Sequence, residues 1–155
     1  MSLSILLVED NNYKRQKIMD HIILFSSSIV IEEAHSFTSG SKKVLENNYG
    51  LVVLDIGLPT YDRVGAESGG RNRMFGGREI ARKLLRRQSD SDILFITQYD
   101  AFSEGGLSLS LSELRALLMS ECGDNFVDLI YYDGSKTIWK DQLTSALKKA
   151  EKKKT

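Results

Sequence analysis

Residues 51–59 read LVVLDIGLP. Leu51 to Leu54 are apolar without alternation, which predicts a strand buried on both faces. The strand ends in the carboxylate of Asp55, and the chain then turns at its single proline, Pro59. A charge at the edge of a core is costly unless something pairs with it. The rest of the chain should contain that partner for Asp55 or show that none is needed.

Working outward, Ile5–Val8 is a second continuous apolar run, and it ends in Glu9-Asp10. Residues 11–25, NNYKRQKIMDHIILF, place Tyr13, Ile18, Ile22 and Phe25 on one helical face. Either Asn11 or Asn12 is suited to cap that helix. Ile29–Ile31 opens another strand, and SFTSGSKKVLENN forms a shorter helix that Gly50 breaks. From Thr60 to Gly77 the sequence TYDRVGAESGGRNRMFGG has the composition of a long loop; such loops in compact domains are functional or mobile. REIARKLLRR follows as a helix, then the strand Asp92–Thr97, then a second loop, QYDAFSEGG. In LSLSELRALLMSE, Leu111, Leu114, Leu117 and Leu118 form a helical stripe, and Ser110 with Glu113 makes a capping box. Phe126–Tyr132 is the fifth strand. The last helix turns Ile138, Trp139, Leu143 and Leu147 inward. Five strands alternating with five helices predict an α/β domain with a parallel sheet and right-handed crossovers. One domain over 1–155 is expected.

Composition narrows the function classes. Lys+Arg and Asp+Glu stand at 21 each, so net charge selects no partner. The basic run at 148–154 reads as the solvated end of a helix, and neither nucleic acid nor membrane contact is expected. Cys122, the one cysteine, allows no internal disulfide and reads as a small core residue. No apolar run approaches a membrane span, and the first ten residues lack the basic start of a signal peptide. A cytoplasmic location is expected. His21 and His35 read as structural or exposed. The phosphate-binding G-x-x-x-x-G-K-[ST] pattern is absent, and so is a dinucleotide G-x-G-x-x-G after the first strand. A phosphatase of the haloacid-dehalogenase type needs a second acid two residues after its nucleophile, where this chain has Gly57.

In a doubly wound sheet the carboxyl ends of the strands form the working edge. If the first and third strands are neighbours, Glu9, Asp10 and Asp55 converge there. Like charges at about 4 Å repel by roughly 4 kcal/mol at an effective dielectric near 20. Such a cluster needs a cation or a shared proton, and an oxygen-only ligand set suits Mg²⁺. Thr97 ends the fourth strand at the same edge. These groups fit phosphoryl transfer onto a carboxylate, with Asp55 as nucleophile.

The motifs ILLVED, LVVLDIGLP and FITQ together resemble the receiver domains of bacterial two-component response regulators. The resemblance runs from ILLVEDN to the final helix. It implies a flavodoxin-like doubly wound five-stranded parallel sheet in the order 2-1-3-4-5, with helices on both faces. It matches Asp55 to the phosphoacceptor, Glu9 and Asp10 to the acidic pair that holds Mg²⁺, and Gly57 to a metal-binding backbone carbonyl. Thr97 matches the switch hydroxyl. The implied partners are a histidine kinase or phosphotransfer protein and an unknown output protein. Only self-phosphorylation and dephosphorylation chemistry is implied, not turnover of a substrate.

Two departures from the family stand out. Receivers carry a Lys-Pro pair after the fifth strand, and this chain has Tyr132-Asp133 there. Lys136 is the nearby candidate to replace the lysine. The aromatic switch position is Leu129, leaving Tyr131, Tyr132 or Tyr99 to take part of that role. Insertions at about 60–75 and about 99–110 lie beside the carboxyl edge, either as a lid or as tolerated surface. A phosphorylation-independent binding module on the same fold, a pseudo-receiver, is the alternative reading.

Overall fold

The computed structural model describes residues 3–65 and 68–154. Residues 66 and 67, inside the first expected insertion, lie outside the described residues. Five parallel strands form the central sheet: β1 (Ser4–Val8), β2 (Val30–Ala34), β3 (Leu51–Leu54), β6 (Asp92–Thr97) and β9 (Phe126–Tyr131). Their order, β2-β1-β3-β6-β9, is the expected 2-1-3-4-5. Helices α1 (Asn12–Phe25), α2 (Phe37–Glu46), α3 (Gly76–Arg86), α4 (Leu111–Cys122) and α5 (Ile138–Lys154) cover it.

Strand alternation divides the core in two. Leu6, Val8, Val52, Leu54 and Phe95 face α2, α3 and α4. Ile5, Leu7, Leu51, Val53 and Ile130 face α1 and α5. Period-2 continuation places Glu9 and Asp55 on this second face, towards α1. Side-chain oxygens start the helices. Asn11 Oδ1 accepts from Lys14 N at 2.9 Å, and reciprocal capping boxes join Ser36 with Ser39 and Ser110 with Glu113. At α3 the start is set by close approach: a Cβ on Gly77 would lie 2.0 Å from the carbonyl oxygen of Asp55. Only glycine lets α3 begin against the strand end that carries Asp55.

Several local expectations are corrected. Tyr13 and Ile138, expected to face inward, are 67% and 64% exposed. The helix α1 instead buries Lys14, Ile18 and Ile22, a stripe at every fourth residue. The second loop is a hairpin, β7 (Ala101–Glu104) with β8 (Leu107–Ser110). Gly105 and Gly106, at φ +57° and +83°, form its two-residue turn. The first loop carries a short antiparallel pair, β4 (Leu58–Pro59) with β5 (Asn72–Arg73), and yields Gly76 and Gly77 to α3. The hairpin buries Phe102 against Phe75, with ring centroids 6.3 Å apart. Met74 N also donates to Glu104 Oε2 at 2.9 Å.

Candidate functional site

The parallel register pairs Val8 with Leu54, so the next residues of β1 and β3 leave the sheet side by side. Glu9, Asp10 and Asp55 each bring one carboxylate oxygen to within 4.8 Å of the others. Glu9 and Asp55 are buried and Asp10 is half-buried. Gly57 lines the same cleft of about 360 Å³, together with Arg63, Asn72, Gln98 and Tyr99. Thr97 is fully buried at the end of β6, and its Oγ1 accepts from Tyr99 N at 3.2 Å. The strand ends thus bring the three acids and Gly57 together, with Thr97 one strand along.

The partner of Asp55 is Lys14. Its ammonium lies 2.7 Å from Glu9 Oε1 and 3.4 Å from Asp55 Oδ1. It also donates to the Ile96 carbonyl at 3.1 Å. The residue is buried at 1% exposure, and its Nζ sits 5.9 Å from the centre of the Tyr132 ring. Lys136, the expected substitute, lies in an exposed turn, its N–H donating to the Asp133 carbonyl. Tyr132 is buried at 8% exposure and packs on Trp139 with centroids 4.9 Å apart. Leu129 is fully buried, while Tyr131 and Tyr99 are partly exposed.

Lys14 was missed because a lysine in the first turn of a helix ordinarily faces solvent. The available signal was its spacing: Lys14 falls four residues before Ile18 and eight before Ile22. That stripe meets the sheet face onto which alternation turns Glu9 and Asp55.

Charge balance shapes the titration of the cluster. Burial pushes the Asp55 carboxyl well above the usual range, and neighbouring Glu9 adds to this against the opposing pull of Lys14. Burial and Glu9 likewise raise Asp10, against Arg63 and Lys14. For Lys14, burial favours loss of the proton, but Asp55 and Glu9 together outweigh it and raise its pKa. The ammonium therefore stays charged. Three acids against one buried ammonium fit a divalent cation, and the donor set of carboxylate oxygens is the kind Mg²⁺ takes. Glu9, Asp10, Asp55 and the Gly57 carbonyl are the groups placed to hold it.

No family model matches the chain. An uncharacterized protein, y4jR, from Sinorhizobium fredii is 24% identical over 143 residues, covering 91% of this chain and 94% of that protein. The Detocs response regulatory protein DtcB from Enterobacter cloacae is 23% identical over 142 residues, covering 89% of this chain and 94% of that protein. Among solved structures, the response regulator TrrA from Thermotoga maritima, in complex with Mg²⁺ and BeF, superposes with a TM-score of 0.60. It is 23% identical and covers 97% of this chain and 99% of its own. Among the described residues no helix is long and apolar enough to cross a membrane. The chain has the fold of the response-regulator receiver domains.

Proposed function

We propose that the protein is a receiver that accepts a phosphoryl group on Asp55 and signals through protein contacts in the cytoplasm. The observation that supports this most is the buried Lys14, which stands between Glu9 and Asp55 and supplies the cation that the end of β9 lacks. The donor is a phosphohistidine on a kinase or phosphotransfer protein. An Asp55 oxygen attacks phosphorus, the P–N bond breaks, and the imidazole leaves with the electron pair and takes up a proton. The product is an acyl phosphate on Asp55. Mg²⁺, when bound by the acidic residues, neutralises charge on the transferring group. Lys14 remains protonated, is released from the Asp55 carboxylate as it becomes an ester-like acyl group, and holds a phosphoryl oxygen instead. Thr97 turns its hydroxyl to the same group, giving up its contact with Tyr99 N and so loosening the segment that leads into the hairpin. The name response regulatory protein borne by the Enterobacter relative agrees with this reading.

A second reading is favoured by Leu129. It is locked in the core where the resemblance calls for a mobile aromatic, which suits a binding module that does not switch. Intact mass after incubation with Mg²⁺ and a small acyl-phosphate donor separates the two. Wild type is expected to gain one base-labile phosphoryl group, and Asp55→Asn none. Equal gain by Asp55→Asn removes Asp55 as acceptor; no gain even with a cognate kinase leaves the binding module.

A further inference from the structure

Arg63 stands across the acidic cleft. Its Nη2 lies 3.3 Å from Asp10 Oδ2. The residue lines the cleft that holds Glu9, Asp55 and Gly57, and also an adjoining one bounded by Asn12 and His35. Asp10, Asn11 and Arg63 border both, so the ion pair stands in the wall between them.

The loop that carries Arg63 is fastened on either side of it. Thr60 N donates to Arg71 O at 3.0 Å, and Tyr61 N to Gly69 O at 2.8 Å. Ser39 Oγ, at the start of α2, donates to Asp62 Oδ1 at 2.8 Å. Gly69 takes φ +85°, and a Cβ there would lie 2.7 Å from the Tyr61 carbonyl oxygen. The backbone beside Arg63 is thus held, while its own side chain is 59% exposed, able to swing from one acid to another group in the same cleft.

The pair with Asp10 has a consequence for ligand order. Asp10 is one of the acids suited to Mg²⁺, so cation and guanidinium compete for it. Once Asp10 is taken, the guanidinium is released beside Asp55. A phosphoryl group there carries about −1.5 to −2 charges. Glu9, Asp10 and that group are then balanced by one divalent cation and two basic side chains, Lys14 and Arg63; without Arg63 the cleft is short of one positive charge. The guanidinium fork also matches phosphoryl oxygens in geometry.

We propose that Arg63 is a phosphoryl-binding residue, parked on Asp10 in the unphosphorylated protein and turned onto the phosphoryl oxygens when metal takes Asp10. The assignment rests on the phosphoacceptor reading of Asp55. The test measures two affinities by calorimetry on the full chain: Mg²⁺ alone, then beryllium trifluoride in saturating Mg²⁺. Arg63→Ala is expected to bind Mg²⁺ tighter by about 3-fold, as befits loss of an exposed competing ion pair. It is expected to bind beryllium trifluoride weaker by about 10-fold or more, the size of a lost charge-assisted hydrogen bond. Arg63→Lys falls between, because the charge stays and the fork is lost. Arg71→Ala, the same charge loss in the same loop but outside the cleft, moves neither. Opposite shifts in the two affinities support the assignment, since disruption of the loop would weaken both. If Arg63→Ala takes beryllium trifluoride as tightly as wild type, Arg63 is not a phosphoryl ligand. If wild type itself takes none in Mg²⁺, the phosphoacceptor reading falls and the assignment falls with it.

Discussion

The carboxyl ends of β1 and β3 present three acids, whereas the carboxyl end of β9 presents a tyrosine ring. In the receivers this chain resembles, the second of these places supplies the lysine that the first requires. Here Tyr132 fills it, and the ammonium comes instead from the first turn of α1. The contrast teaches that the cluster fixes the charge it needs but not the element that delivers it. Any position whose side chain reaches the face shared by Glu9 and Asp55 can serve. The buried ring of Tyr132 then becomes a lid of hydrocarbon over Lys14, packed in turn on Trp139.

Removal of Lys14 is the strongest attack on that contrast. Lys14→Met keeps the length of the side chain and deletes the charge, leaving Glu9 and Asp55 buried without a cation. Breaking a buried pair in this way costs about 3–5 kcal/mol, less what protonation of the acids recovers. Loss of one preorganised electrostatic contact at a reacting group typically costs about 10²–10³ in rate. Urea unfolding at neutral pH, with and without Mg²⁺, reads the first effect; the initial rate of acyl-phosphate labelling reads the second. A variant that labels at the wild-type rate would show that the ammonium holds the fold and takes no part in the chemistry.

The next variant moves the charge back to the end of β9. On the Lys14→Met background, Tyr132→Lys is expected to recover at least about 10-fold of the lost labelling rate, as one charge-assisted contact is restored. Stability is expected to recover less, because the Tyr132 ring is lost from its packing against Trp139. Labelling kinetics of the single and double variants, measured side by side, make the check. A folded double variant with no recovery would mean that direction of approach matters and charge alone does not suffice.

The acid end was legible in the sequence because strand-end carboxylates are written locally: Glu9-Asp10 follows ILLV, and Asp55 follows LVVL. The parallel sheet followed from the same runs and the alternation of strands with helices, and its order from the resemblance to receiver domains. The cation was not legible in the same way, since it depends on which face of α1 meets the sheet. Tyr13 looks more apolar than Lys14, but it lies off the stripe that Ile18 and Ile22 define and is left in solvent. The Phe102 hairpin was hidden by its composition. Glycine at 105 and 106 suggested an irregular loop, although a two-glycine turn between Phe102 and Leu109 also suits paired strands. The placement of Arg63 rests on contacts between distant segments, 10 with 63 and 39 with 62, which no local pattern encodes.

The smallest effect comes from a charge cluster that fastens helices and lies away from the acids. Arg78 donates twice to the Glu121 carboxylate, at 2.8 and 2.7 Å, and Arg82 once at 2.9 Å, tying α3 to α4. The Arg78 hydrogen bonds, with further help from Arg82, hold the Glu121 carboxyl below its ordinary value of 4.5 despite partial burial. A carboxyl whose folded pKa is depressed binds its proton more readily when unfolded. Its stabilisation is therefore complete above the ordinary value and is lost as pH falls through the depressed one. The pair is partly solvated, so about 1 kcal/mol is expected. Urea melts of wild type and Glu121→Gln should differ by that amount at pH 7 and converge in strong acid. The labelling rate of Asp55 should not change. Lys14 and Arg78 would then differ in kind: one ammonium serves the reacting carboxylate, while the other cation only joins two helices. A slowed labelling rate in Glu121→Gln would instead couple the α3–α4 fastening to the cleft and weaken the separation between chemistry at α1 and structure at α4.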